Sequence, residues 1–319
     1  MRQYVIRRLL LMLPLVWAVG TLVFILTRVM PGDAAQVYVG ISGDQEKVET
    51  LRELWGLNDP KWEQYTNWWT DLAQGDLGIS IVRSSNAREV PVTDLLKQAL
   101  PVTLELSLMA LLISMPLGVM IGIISAVFRN GVADYAGRFA AVFFLSVPNF
   151  WVATLMVVLP AIWFGWTPAR PWEGFLDDPL KNLSLVVWPA VALGLSGSGV
   201  LARLTRSTML ETLTQDYVRT ARAKGLQERV VIMRHALRNS LIPVVALASL
   251  QVGAILGGTV IIEQIFALPG MGRLLLTAIG DRDYNVVQAI TMIAASWFML
   301  VALAADILYG AINPRIRFS

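Results

Sequence analysis

The chain has 319 residues, of which 55% are hydrophobic and 15% are charged, and its formal net charge is +3. Soluble domains carry about 25% charged residues, so this composition excludes an ordinary soluble domain and predicts a membrane protein. The sequence has no cysteine and one histidine, which excludes disulfides, thiolate or zinc sites and a catalytic triad on this chain. No segment combines basic and aromatic residues as a nucleic-acid surface does.

The N-terminus carries Arg2, Arg7 and Arg8 directly before the apolar run Leu9–Thr27. This arrangement resembles a signal peptide. However, the run is long enough to cross a bilayer, and no small-x-small cleavage motif follows it. The sequence therefore predicts a retained first transmembrane helix.

Six apolar runs are long enough to cross a hydrocarbon core of about 30 Å. The runs are Leu9–Thr27, Leu106–Phe128, Phe139–Ala169, Asn182–Ala202, Asn239–Ile262 and Tyr284–Ala305. The third run is too long for one helix, and the segment from Gly165 to Pro168 is predicted to mark its exit from the membrane. The chain is therefore expected to be an all-α polytopic membrane protein with six transmembrane helices.

An even number of spans places both termini on the same side of the membrane. Lys and Arg are concentrated at the two ends and in the alternate loops Arg129–Arg138 and Arg203–Arg238. By the positive-inside rule, the N- and C-termini are predicted to be cytoplasmic.

Residues 31–98 are predicted to form an extracytoplasmic helical insert. Apolar residues show helical spacing over Gln45–Trp55, and a Pro60 start signal precedes a second helix rich in aromatic residues. This aromatic stripe is interpreted as a packing surface rather than a ligand site. The sequence Gly75-Asp76-Leu77-Gly78 is expected to end the pattern.

Glycines recur at helix-packing spacing within three of the predicted spans. The pairs Gly118/Gly122 and Gly253/Gly257 follow the Gly-x-x-x-Gly pattern that lets helices approach closely. The glycine-rich segment Gly194–Gly199 lies within an apolar run and lacks a phosphate-binding lysine, so it is predicted to pack helices.

The loop at residues 204–238 contains two predicted amphipathic helices. In the first, apolar positions recur every four residues: Met209, Leu213, Tyr217 and Ala221. Gly225 is the expected left-handed residue that ends it. The apolar face of the second short helix is Leu226, Val230, Met233 and Leu237. From its residues alone, this basic element either docks on a protein partner or lies on anionic lipid.

The segment Asp216–Leu226, followed by Arg234–Asn239 and Leu241–Pro243, resembles the coupling loop of permease subunits of binding-protein-dependent ABC importers. It is most similar to the dipeptide/oligopeptide/nickel subgroup. The family pattern Glu-Ala-Ala, three residues and Gly reads here as Arg219-Thr220-Ala221 and Gly225. Further similar segments are Pro31–Asp33, Gly75–Gly78, Pro101–Leu106, Ser146–Phe150, Glu263–Gly272, Arg282–Gln288 and Asn313–Arg315.

This resemblance implies a type I ABC importer permease fold in the bacterial inner membrane. The implied division of the chain has four parts. Residues 1–30 form the cytoplasmic N-terminus and first span, and residues 31–98 form the insert. Residues 99–310 form a five-helix core that contains the coupling loop (residues 204–238), and residues 311–319 form a cytoplasmic tail. The residues implied to couple to an ATPase are Asp216, Tyr217, Arg219, Ala221, Arg222, Ala223, Lys224 and Gly225.

The expected partners are a homologous second permease, two cytoplasmic ATP-binding subunits, an extracytoplasmic substrate-binding protein and membrane lipid, without nucleic acid. No Gly-x-x-x-x-Gly-Lys-Ser/Thr motif occurs. The chain is therefore expected not to be an enzyme and to hold no cofactor, with ATP and magnesium on the partner ATPases.

The implied cargo is a di- or oligopeptide. Nickel, opines or oligosaccharides are alternatives within the same family. An ATPase-independent secondary transporter and a membrane scaffold protein are alternatives from other classes. The coupling loop argues against both.

Overall fold

A computed structural model describes residues 2–29, 34–39, 45–84, 89–166 and 172–312. These residues form thirteen α-helices, one π-helical segment and a single isolated bridge between Ile79 and Pro91. The first helices are α1 (Arg2–Val29), α2 (Ala34–Val39), α3 (Gln45–Leu54), α4 (Lys61–Ala73), α5 (Val92–Val127), α6 (Val132–Ser146) and α7 (Asn149–Phe164). The others are α8 (Pro179–Leu213), α9 (Asp216–Ala223), α10 (Glu228–Val230), the π-helical segment (Val231–Ala236), α11 (Leu237–Ile265), α12 (Met271–Asp281) and α13 (Tyr284–Ile312).

Within the part of the chain that the structure describes, five helices are long and apolar enough to cross a membrane, and the pair α6–α7 supplies a sixth span if it is counted as one broken crossing. The predicted six spans are confirmed in this sense. The third run is not one helix, because α6 and α7 meet at an angle of 91°. Pro148 lacks a backbone N–H, and the residue before a proline avoids the helical region, so α6 ends at Ser146 and Val147 is extended. Gly165, with φ of 64°, ends α7 where the exit was predicted.

One compact unit comprises Thr103–Leu268 together with the two ends of the chain, Met1–Ile6 and Phe298–Ser319. In this unit, α8 packs against α6, α7 and α11. Glycines allow close approach to α5: a Cβ on Gly118 would lie 2.7 Å from the Ser198 carbonyl oxygen, and one on Gly194 would lie 2.8 Å from that of Ala110. The predicted packing role of these glycines is confirmed.

Two other glycines of this unit differ from each other. A Cβ on Gly253 would lie 2.7 Å from the Phe298 ring, whereas one on Gly257 would meet open space. The second Gly-x-x-x-Gly pair therefore packs through its first member only. An apolar cavity of about 670 Å³ is lined by side chains of α6, α7 and α8, among them Phe143, Trp151 and Trp188.

The second compact unit comprises Arg7–Val102 and Pro269–Trp297. The two predicted helices of the insert are present as α3 and α4. The aromatic face of α4 packs on α1, with the Tyr65 and Phe24 ring centroids 5.2 Å apart and a hydrogen bond of 2.7 Å between the hydroxyls of Tyr65 and Thr21. A Cβ on Gly20 would lie 2.6 Å from the Trp69 ring. The aromatic stripe is therefore a packing surface, as predicted.

Asp283, the residue before α13, holds the segment between α4 and α5 within this second unit. Its carboxylate accepts hydrogen bonds from the Ser80 hydroxyl and, at 3.2 Å, from the Ile81 backbone N–H. Gly75 and Gly78, at φ of 82° and 75°, form the turn that leads into this segment. The motif Gly75–Gly78 therefore ends the helical pattern, as predicted, and directs the chain to Asp283.

Two segments of the resemblance, Pro31–Asp33 and Asn313–Arg315, lie outside the described residues, as does most of the predicted tail. The amphipathic helix α12 was not predicted, and it buries Met271, Leu274 and Ala278.

Candidate functional site: the coupling loop

The first predicted helix of the coupling loop is in fact two helices. The span α8 continues to Leu213, a turn follows at Thr214 and Gln215, and α9 begins at Asp216. Gln215 is extended, with φ of −70° and ψ of 149°, and this conformation interrupts the helix. At 35 residues, α8 is about 52 Å long and exceeds a hydrocarbon core of about 30 Å. It is therefore longer than one crossing requires, and its C-terminal end leads through the turn into α9.

The second predicted helix is not separate either. The helix α10 passes directly into the π-helical segment and then into α11, which is the next span. Val231 and Ala236 of the π-helical segment are buried. Ala236 packs with Ala126 of α5 and Met209 of α8. The coupling loop is therefore anchored at both ends to membrane-spanning helices.

The inner face of α9 packs against the rest of the loop. Val218 and Ala221 are buried in a cluster with Val231, and Leu213 packs against it. Ala221, one of the residues implied to couple to an ATPase, is therefore buried inside the loop and does not contribute to its exposed surface. Its small side chain instead sets how closely α9 lies on the π-helical segment.

Gly225 adopts the left-handed conformation predicted for the residue after α9, with φ of 75°. Its N–H donates to the Arg222 carbonyl at 2.9 Å, and the N–H of Lys224 donates to the Thr220 carbonyl at 3.1 Å. A Cβ on Gly225 would meet no atom within 4 Å. The requirement for glycine here therefore comes from backbone conformation and not from space.

Two predicted coupling residues form ion pairs within the loop. Arg222 makes two hydrogen bonds to Glu228, of 2.7 and 3.1 Å, and these bonds raise the pKa of Arg222. Arg219 lies 3.7 Å from Asp216, and both side chains are largely exposed. The Arg222 pair connects α9 to α10 across the Gly225 turn, so Arg222 has a structural partner in the loop itself.

The outer surface of the loop carries both exposed apolar and exposed basic side chains. We define the apolar patch by its exposed side chains: Tyr217, Leu226, Val230 and Met233. Exposed basic residues of the same loop are Arg219, Lys224, Arg229, Arg234 and Arg238, and Ala223 is also exposed. The Tyr217 hydroxyl accepts a hydrogen bond of 2.8 Å from the Asn239 side chain at the start of α11. The apolar patch is thus fixed to a membrane helix.

A buried ion pair at the start of the loop was not predicted from the sequence. Asp134 of α6 is fully buried and accepts two hydrogen bonds from Arg206 of α8, of 2.7 and 2.9 Å. The two residues are 72 positions apart, so no local pattern connects them. The one available signal was an acidic residue within the otherwise basic segment Arg129–Arg138.

No group of three His, Asp or Glu side chains is placed to hold a metal ion in the part of the chain that the structure describes. The loop thus carries exposed apolar and basic side chains and is joined at both ends to membrane-spanning helices.

Comparison with known families agrees with this geometry. Residues 118–318 match the family described as binding-protein-dependent transport system inner membrane component. Residues 1–107 match the N-terminal family of the same membrane components. The chain belongs to this family. It is therefore a multi-pass inner-membrane component of a transport complex, and the family predicted from the sequence is confirmed.

Relatives match the permease over its whole length. A putative peptide transport system permease of Brucella abortus (strain 2308) is 39% identical, with 100% of both chains covered. An oligopeptide transport system permease of Bacillus subtilis (strain 168) and a glutathione transport system permease of Escherichia coli O6:H1 are each 36% identical, again with 100% of both chains covered.

Two solved structures share the fold. The inward-facing MetNI methionine ABC transporter matches with a TM-score of 0.56 and 17% identity, covering 72% of this chain and 100% of that one. An amino acid ABC transporter crystallised with histidines matches with a TM-score of 0.52 and 15% identity, covering 70% of this chain and 95% of that one. The expected all-helical importer permease fold is confirmed.

Proposed function

We propose that this permease carries di- or oligopeptides across the inner membrane and that its coupling loop seats on a cytoplasmic ATPase subunit. The observation that carries the proposal is the apolar patch, which is exposed, shares its loop with five exposed basic residues and is anchored to α8 and α11. The peptide class is supported by full-length relatives named as peptide, oligopeptide and glutathione permeases.

The composition of the loop surface suits a cleft with an apolar floor and an acidic rim. Removing the apolar surface of Tyr217 and Met233 from water would lower the free energy of the complex. Arg219 and Lys224 are exposed on the same loop, where complementary charge orients an encounter more than it adds affinity. Val218 and Ala221 act from inside by fixing the position of α9.

The remaining partners follow from the same assignment. A homologous second permease, two ATP-binding subunits and an extracytoplasmic binding protein would complete the transporter. ATP and magnesium would lie on the ATPase subunits, and this chain would be a non-catalytic translocation subunit.

The test is ATP hydrolysis by the complex that co-purifies with this chain, reconstituted in proteoliposomes. The rate is measured alone, with empty binding protein, and with binding protein plus a dipeptide and tripeptide mixture. We expect stimulation only when binding protein and peptide are both present. Uptake of radiolabelled peptide should follow the same order.

Two other outcomes separate the alternatives. Stimulation by nickel, opines or oligosaccharides in place of peptides would keep the importer and replace the cargo. A chain that purifies without an ATPase, and that transports peptide with a proton gradient alone, would overturn the coupling proposal and favour a secondary transporter.

A further inference from the structure

The buried pair Asp134–Arg206 lies where motion of the coupling loop would enter the membrane. Arg206 is on α8, two turns before this helix ends at Leu213 and passes into α9. Asp134 is in the first turn of α6, the helix that ends at the 91° break. The pair therefore joins the helix that holds the coupling loop to the helix that leads to the break.

The geometry of this pair restricts rotation as well as separation. The Arg206 Nε and Nη2 atoms each donate to a different oxygen of Asp134, and a planar fork of this kind fixes orientation as well as distance. The second Asp134 oxygen also accepts the Asn130 backbone N–H at 3.0 Å. Asn130 has a left-handed φ of 63° in the α5–α6 turn, so Asp134 also holds this turn.

Close backbone packing surrounds the pair. A Cβ on Gly122 of α5 would lie 2.8 Å from the Ala202 carbonyl oxygen of α8. A Cβ on Gly137 of α6 would collide with the Ser125 hydroxyl of α5. The two glycines thus allow the ends of α5, α6 and α8 to pack closely around the ion pair.

We propose that Asp134 and Arg206 are positioning residues that make α6 follow α8 when the coupling loop moves. This inference rests on the proposed function. It adds a route by which a displacement at α9 reaches the α6–α7 break and the apolar cavity lined by α6, α7 and α8. Neither residue is required to contact an ATPase or a peptide.

The test uses the neutral double variant Asp134→Asn/Arg206→Gln in the complete transporter. Amides keep the volume and some hydrogen bonding, but they lose the charged fork. We expect the complex to assemble and to hydrolyse ATP at its basal rate, while the amount of peptide taken up per ATP falls at least tenfold. An assembled variant whose uptake per ATP stays within twofold of wild type would overturn the inference.

Arg138→Gln is the matched control. Arg138 is a second cation 3.4 Å from Asp134. It is more exposed than Arg206, and its guanidinium also stacks on the Tyr135 ring. It lies on α6, four residues from Asp134, so it joins nothing to α8. We expect its loss to leave uptake per ATP unchanged, and a loss equal to that of the double variant would count against the specific role of Arg206.

If the double variant does not assemble, the distance between spin labels on α6 and α8 tests the inference in the wild-type background. The chain contains no cysteine, so spin labels can be placed at Val132→Cys on α6 and Ser207→Cys on α8, both exposed positions. We expect the same label distance with and without trapped ATP in the wild-type background. A change of several ångströms between the two states would overturn the inference. The proposed function fails separately, when the wild-type complex shows no stimulated hydrolysis.

Discussion

Asp283 is a buried carboxylate with hydrogen-bond donors around it. The Ser80 hydroxyl and the Ile81 N–H donate to it, and Asn285 beside it donates to the Ile79 carbonyl at 2.9 Å. Burial nevertheless raises the pKa of Asp283, because loss of hydration outweighs these hydrogen bonds. Ionisation of Asp283 therefore lowers the free energy of unfolding, while the hydrogen bonds that its oxygens accept raise it.

Substitution of Asp283 separates these two effects. Asp283→Asn keeps an acceptor for Ile81 and should be at least as stable as wild type at pH 7. Asp283→Ala leaves buried donors unpaired and should lose about 1–3 kcal/mol. Thermal unfolding of the purified complex measures both.

The pH dependence has a definite sign. An acid whose pKa is higher in the folded state binds protons more tightly there, so its contribution to stability falls as pH rises from the unfolded value of about 3.9 towards the folded value. The free energy of unfolding of the wild type should therefore rise relative to that of Asp283→Asn as pH is lowered from 7 to 4. A widening advantage of the Asn variant at low pH would contradict this account.

At the scale of a single element, the turn after α9 depends on one backbone conformation. A left-handed conformation costs an ordinary L-residue roughly 1–2 kcal/mol, whereas asparagine adopts it more readily. Because a Cβ at Gly225 meets open space, size is not limiting there.

Gly225→Asn and Gly225→Val are therefore an informative pair of similar bulk. We expect the Asn variant to keep most of its peptide-stimulated ATP hydrolysis and the Val variant to lose most of it, with both complexes assembling. Equal rates for the two variants would show that the left-handed turn is not what the loop requires.

The coupling loop also shows what its sequence could and could not predict. The Gly225 turn has a local cause, and it was predicted correctly. The break between α8 and α9 was missed because the spacing of Met209, Leu213, Tyr217 and Ala221 continues across it. Apolar periodicity reports which side is buried and is insensitive to a two-residue turn that preserves the phase. Tyr217 departs from this pattern, because it lies on the same stripe as the buried Met209 and Ala221 and is nevertheless exposed.

At the scale of the whole molecule, the count of spans follows from composition, but long-range pairs do not. The six apolar runs place the membrane-spanning helices and Gly165 ends α7 as predicted, but neither the 91° break at Pro148 nor the helix α12 was predicted from the sequence. The Asp134–Arg206 and Asp283–Ser80 contacts join residues far apart in the chain, and only the folded arrangement of helices brings them together. The cytoplasmic position of both termini rests on charge alone and stays a prediction.

Orientation is testable because the chain lacks cysteine. Single cysteines at Trp62 in α4 and Gln227 in the coupling loop are both exposed. A membrane-impermeant maleimide should label Trp62→Cys in intact spheroplasts and Gln227→Cys only in inside-out vesicles. Both should react after detergent is added, which controls for burial, and the reverse pattern would invert the topology.

The π-helical segment Val231–Ala236 holds one residue more than an uninterrupted α-helix would between α10 and α11. Its hydrogen bonds run from residue i to i+5, so the wider turn takes up the additional residue locally. Deleting one residue within this segment should therefore restore ordinary α-geometry and leave α9 and the apolar patch in nearly the same orientation. The same deletion in the first regular turns of α11 would rotate everything before it by about 100° and shift it by about 1.5 Å. The coupling loop thus tolerates a change in chain length within the π-helical segment that it would not tolerate one turn further along the chain.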